Sequence, residues 1–173
     1  MSDSKKNSRR NFIKNTTLGA AGFMIVPRHV IGGPGFLAPS DRLIVAGVGV
    51  GGKGRSDLAN FHESGKADIG FLCDVDDRMA ETSVKAFPKA KYYKDWREMF
   101  DKESKNFDAV SVSTPDHTHA EYIEAGVEAG LDVISEKPMT ATAEQAAGIL
   151  RIADRGRIRV TGRGRHLERA MAR

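Results

Sequence analysis

The chain has 173 residues, of which 40% are hydrophobic and 29% charged, with a formal net charge of +4. This length holds one ordinary domain plus an N-terminal appendage, and the composition is that of a soluble globular chain. Residues 1–14 carry +4 and residues 151–173 carry +6, which leaves 15–150 at −6 and argues against a nucleic-acid groove on the body.

Ser8-Arg9-Arg10-Asn11-Phe12-Ile13-Lys14 reads as a twin-arginine export signal. The weakly apolar segment Thr17 to Val26 follows; it is too short for a stable membrane span, and no lipid-bearing Cys comes after it. The expectation is export in the folded state and a periplasmic location; the alternative is an amphipathic helix with a basic start. Residues 27–40 are rich in Gly and Pro and read as a linker, in which His29 receives no role. Residues 1–40 are therefore signal and linker.

From Asp41 strands and helices alternate. Strands are expected at 42–48, 67–74, 91–93, 107–112, 131–135 and 157–161. Helices are expected at 52–63, 78–87, 96–102, 117–129 and 142–153. Asp95 and Glu98 have the spacing of a capping box, and Gly130 that of a helix C-cap. Short apolar strands separated by helices give an α/β fold, a Rossmann-type doubly wound parallel sheet over 41–162. The arginine-rich 163–173 reads as a disordered tail. Cys73, the only cysteine, excludes an intrachain disulfide and reads as a buried strand residue.

Gly47-Val48-Gly49-Val50-Gly51-Gly52 gives G-x-G-x-x-G directly after a strand and at the mouth of a helix. Gly47 is expected to allow the tight turn, Gly49 the approach of a pyrophosphate, and Gly52 close helix–strand packing. Gly51 lies in the same loop, Gly54 extends it, and Lys53 adds charge. The helix N-terminus offers N–H groups and a positive dipole end to phosphates. Asp74 ends the next strand 22 residues after Gly52, the spacing of a ribose-binding acid. Its charge would repel a 2′-phosphate, which favours NAD while leaving NADP open. No G-K-[ST] follows, which disfavours a P-loop nucleotidase.

Ligands of such sheets bind beyond the carboxyl ends of the strands. Two polar clusters sit there: Ser113-Thr114-Pro115-Asp116-His117-Thr118-His119, and Glu136-Lys137-Pro138-Met139. With the glycine loop and Asp74, this set resembles the N-terminal half of the Gfo/Idh/MocA oxidoreductases, over about Leu43 to Ala153. The resemblance implies that Thr114 and Pro115 lie along the nicotinamide half of the cofactor. It implies that His119 lies near the nicotinamide ribose, and that Glu136-Lys137-Pro138 is the family's E-K-P signature with Lys137 as catalytic residue. It also implies that the Lys137–Pro138 bond is cis. Chemically, an ammonium beside a reacting hydroxyl stabilises developing charge on the oxygen and can exchange a proton with it. No metal site is expected: His117 and His119 have no evident third ligand, and Asp74, Asp76 and Asp77 suit ribose binding and helix capping better.

The resemblance implies a sugar or polyol substrate and a homo-oligomeric parent. It also implies a following substrate domain with an antiparallel sheet. The chain instead ends at Arg173 after the arginine-rich stretch 155–173, so the expectation is a truncated or frameshifted product, or a fragment, that binds dinucleotide with little turnover. A functional basic tail is the alternative there, and His166 receives no role. Two other functions stay open: an NAD-dependent glycoside hydrolase or lyase, and a non-catalytic dinucleotide-binding module.

Overall fold

The computed structural model describes residues 37–156 and 160–162. Ser8–Lys14, the apolar segment after it, His29, residues 157–159 and the tail 163–173 with His166 lie outside the described residues. The described residues from Ser40 onward belong to one compact unit.

Six strands form one sheet: β1 (Leu43–Val48), β2 (Ala67–Cys73), β3 (Lys91–Tyr93), β4 (Ala109–Val112), β5 (Asp132–Ser135) and β6 (Val160–Gly162). Their order is β3-β2-β1-β4-β5-β6 and every pairing is parallel. The helices between them are α1 (Gly52–Glu63), α2 (Asp77–Ala86), α3 (Trp96–Glu103), α4 (His119–Glu128) and α5 (Ala143–Gly156). This is the doubly wound order, with its switch point between β1 and β4, where a crevice opens at the strands' carboxyl ends.

The sheet is buried on both faces. Val45, Ile69 and Leu72 pack with Leu58 and Phe61 of α1 and Ala80 of α2. Ala46, Val48, Phe71, Val110 and Val112 pack on the other face with Met99 and Phe100 of α3 and Ile123 and Val127 of α4. Ile69 and Phe71, two residues apart in β2, belong to opposite faces. The register shift between Val45 and Ala46 explains this: Gly70 is skipped, a bulge that reverses the alternation. Cys73 is buried, as expected, and burial pushes its thiol up to about 12.

Elements follow the sequence expectation closely, with two differences. The helix expected from His117 begins as a 3-10 turn, Asp116–Thr118, closed by Thr118 N–H to Pro115 carbonyl at 2.9 Å, and turns α-helical only at His119. The expected capping box at Asp95 is half built: Asp95 accepts the Arg97 N–H at 2.9 Å, while Glu98 turns along the helix to Lys102 at 2.6 Å. Gly130, at φ +77, closes α4 as expected, with Leu131 N–H reaching back to Gly126 carbonyl at 3.0 Å.

Candidate functional site

The loop between β1 and α1 is held before any ligand arrives. Gly49 N–H donates to Cys73 carbonyl at 2.9 Å, and Asp74 accepts Val50 N–H at 2.9 Å and Gly51 N–H at 3.1 Å. The other Asp74 oxygen takes Asp76 N–H at 3.0 Å. Buried Ser83 of α2 donates to Val50 carbonyl at 2.6 Å. Asp74 is thus first a brace between the β2 end and the loop. A carboxylate has about four acceptor positions, so one position on Oδ1 remains for a ribose hydroxyl.

The glycines divide their work differently from the expectation. Gly49 has φ +76 and a Cβ there would lie 2.7 Å from Ser113 carbonyl, so it serves both the turn and the close approach. Gly52 owes its place to φ +43, since a Cβ on it would meet nothing within 4 Å. Close helix packing falls instead to Gly54, where a Cβ would lie 1.9 Å from Gly49 carbonyl, and to Gly47, where it would lie 2.8 Å from Leu58 Cδ1. The first turn of α1 leaves its N–H groups without intrahelical partners.

A cleft of about 610 Å³ opens at this point. Of the expected residues, Gly49, Gly51, Gly52, Asp74, Thr114 and Pro115 line it. Lys53, Val75, Met79, Lys94, Trp96 and Tyr122 also line it. All but Lys53 and Tyr122 follow the ends of β2 and β3 or sit on the helix that follows, so the strand-end rule pointed to their neighbourhood. Val75 is 83% exposed and Met79 53%, an apolar rim beside Asp74. Trp96 meets Tyr122 edge-on at 5.1 Å. Tyr92 donates to Asp74 carbonyl at 2.8 Å, and Lys94 pairs with Asp77 at 2.7 Å. Asp76 caps α2 through Arg78 N–H and also holds the Arg78 guanidinium, which lowers its carboxyl to about 2.

His119 does not itself line the cleft. It is 1% exposed, with one ring nitrogen 2.7 Å from Thr114 carbonyl and the other 2.5 Å from Pro138 carbonyl. It is a strut between the turns that follow β4 and β5. Lys137 is exposed on the second of these turns, and the Lys137–Pro138 bond is cis, as the resemblance implied.

Glu136 faces the underside of the phosphate-loop helix. Lys53 Nζ lies 2.8 Å from Asp57 and 3.7 Å from Glu136. Ser113 donates to the second Asp57 oxygen at 3.3 Å. Asp57, 6% exposed, was not singled out from the sequence, where a lone Asp on a helix looks like a solvated face. Burial pushes the carboxyls of both Asp57 and Glu136 upward.

Residues 43–161 match the Gfo/Idh/MocA model, described as an oxidoreductase family with an NAD-binding Rossmann fold. The chain belongs to this family. A glycosyl hydrolase family 109 protein of Shewanella pealeana is 26% identical over 87% of the chain and 38% of its own length. A levoglucosan dehydrogenase of Pseudarthrobacter phenanthrenivorans is 31% identical over 43% of the chain and 19% of its own length. The fold matches the WlbA dehydrogenase of Bordetella pertussis, solved with NADH and UDP-GlcNAcA, at a TM-score of 0.64 and 24% identity. That match covers 70% of the chain and 36% of WlbA. The chain therefore spans less than two fifths of the length of these relatives. The described unit is an NAD-binding Rossmann domain of the Gfo/Idh/MocA type. Its loop fits the dinucleotide: the first turn of α1 offers N–H groups without intrahelical partners, beside a carboxylate with acceptor capacity to spare. Among the described residues no helix is long and apolar enough to cross a membrane.

Proposed function

We propose that NAD lies with its pyrophosphate over Gly49–Lys53, its adenosine ribose at Asp74, and its adenine along Val75 and Met79. The observation that carries this reading is the meeting of the braced loop, the α1 N-terminus and Asp74 in one cleft. Thr114 and Pro115 line the cleft on the β4 side and direct the nicotinamide half towards the turn that carries Lys137. Bound, the nicotinamide would supply two-electron oxidation of a carbinol or reduction of the corresponding carbonyl. Lys137 would stabilise charge developing on the substrate oxygen and exchange its proton with it. The substrate class is a sugar or polyol hydroxyl.

The Shewanella relative favours a second reading, glycoside cleavage through transient oxidation of the sugar. Calorimetric titration of the chain with NAD and NADH tests the binding: saturable one-site heats support it, and no binding at millimolar cofactor overturns it. Sugar-dependent NADH release distinguishes net dehydrogenation from hydrolysis, which releases none. The Ser8–Lys14 pattern supports export by the twin-arginine route to the periplasm, with cofactor bound beforehand. Fractionation of cells expressing the chain with and without Arg9→Lys and Arg10→Lys tests this; equal periplasmic recovery would refute it.

A further inference from the structure

Three acids stand close together after β2, and they carry unequal duties. Asp74 accepts the backbone N–H groups of Val50, Gly51 and Asp76, so its carboxylate is bound to the loop. Asp76 caps α2 and takes the Arg78 guanidinium at 3.0 Å and 2.7 Å. Asp77 instead holds side chains, with Lys94 Nζ at 2.7 Å on one oxygen and the Tyr92 hydroxyl at 2.9 Å on the other. That hydroxyl also lies 2.8 Å from Asp74 carbonyl, so the contacts Lys94–Asp77–Tyr92 end at Asp74. The pairing of Cys73 with Tyr93 between β2 and β3 sets Lys94 level with Asp74. Among the described residues that line the cleft, Lys53 and Lys94 carry ammonium groups. Lys53 is held by Asp57 and Glu136 at the phosphate loop, and Lys94 is held by Asp77 at the Asp74 end. Three carboxylates against the cations Arg78 and Lys94 leave this end with one negative charge.

We propose that Asp77 determines cofactor selectivity: it holds Lys94 in an ion pair, and Lys94 is a latent partner for the 2′-phosphate of NADP. This selectivity rests on the placement of the adenosine ribose at Asp74 given above. NAD carries a hydroxyl at that position and leaves the Lys94–Asp77 pair intact. A 2′-phosphate, with about two negative charges, has to draw Lys94 away and leaves the Asp77 carboxylate unpaired beside it. Both side chains of the pair are more than half exposed, so loss of the Asp77 carboxylate releases Lys94 without opening the core. Asp74 does not offer the same switch, because its loss also unbinds the loop. Preference between the two cofactors can therefore change at Asp77 while the phosphate loop stays braced.

Calorimetric titrations with NADH and with NADPH test this on the unaltered chain, on Asp77→Asn, and on Asp77→Asn combined with Lys94→Met. The quantity read in each chain is the ratio of the two dissociation constants. Asp77→Asn should move that ratio towards NADPH by about three- to tenfold, the range for a partly exposed ammonium meeting a phosphate. High salt should shrink the gain. Addition of Lys94→Met should abolish it. An Asp77→Asn ratio equal to that of the unaltered chain overturns the proposal. A gain that survives Lys94→Met assigns the effect to the charge of Asp77 alone and overturns the role of Lys94. Asp77→Ser repeats the test if Asp77→Asn does not fold. If the unaltered chain binds neither cofactor, the placement of the ribose at Asp74 fails and the selectivity falls with it; binding of both with an unchanged ratio overturns the selectivity alone.

Discussion

Replacement of Gly49 by Ala strikes the phosphate loop in two ways that can be separated. Its φ of +76 is the left-handed region, which costs an L-residue about 1–2 kcal/mol. The new Cβ would also lie 2.7 Å from Ser113 carbonyl and 2.9 Å from Thr114 Cγ2. Ser113 cannot easily yield, because its N–H is bound to Val48 carbonyl at 2.9 Å, so the clash adds about 1–3 kcal/mol. The total, about 2–5 kcal/mol, lowers the melting temperature by about 8–20 °C in a domain of this size. Gly65→Ala is the control: its φ is +69, but a Cβ there meets nothing within 4 Å. It should cost only the backbone part, about 4–8 °C. Thermal melts followed by circular dichroism, with NADH fluorescence titrations on the same samples, measure both effects. A Gly49→Ala chain that melts no lower than Gly65→Ala, or that binds NADH as the unaltered chain does, would refute the role given to Gly49.

Asp74→Ala removes the acceptor of three backbone N–H groups, so NADH affinity should fall at least about tenfold by calorimetry, and discrimination against NADPH should shrink. His119→Ala leaves the Thr114 and Pro138 carbonyls without their partner and opens a buried void; urea denaturation should show a loss of about 2–5 kcal/mol. Lys91, Tyr93 and Asn106 all donate to Glu103 and hold its carboxyl down at about 2, so the ionised form stabilises the fold. That contribution is present above the ordinary value of 4.5 and is lost as pH falls towards about 2; Glu103→Gln should flatten this acid limb in urea midpoints measured against pH. Asp57 and Glu136 have the opposite sign, being raised, so their contribution is present at low pH and fades as pH rises through the titration of the pair.

Much of the fold is legible because parallel strands buried on both faces leave short apolar runs, and each ends in glycine, Asp or a polar cluster. The glycine spacing identifies the loop but not the atoms opposite each glycine. Hence Gly54 and Gly47 take the packing role expected of Gly52, since only the structure brings Gly49 carbonyl and Leu58 against them. The bulge at Gly70 is hidden for the same reason: a glycine in a strand marks irregularity without giving its register. Of the site residues expected at strand ends, Asp74, Thr114 and Pro115 line the cleft and His119, Glu136 and Lys137 do not, while Val75, Met79 and Asp57 were missed for two reasons. Val75 and Met79 are apolar in a polar neighbourhood, and their place in the cleft comes from the turn into α2. Asp57 and Glu136, 79 residues apart, meet at the ammonium of Lys53, and no local pattern announces such a meeting.

In the proposed binding mode the Gly49–Lys53 turn and Asp74 receive the dinucleotide. Two-dimensional NMR of the isotope-labelled chain, titrated with NAD, tests it most directly through the backbone amides. Saturable shifts should be largest at Gly49, Val50, Gly51, Gly52, Lys53 and Asp74, with smaller ones at Thr114. Shifts confined to the groove between α3 and α4, around Phe100 and Ala125, or no saturable shifts at millimolar NAD, would contradict it.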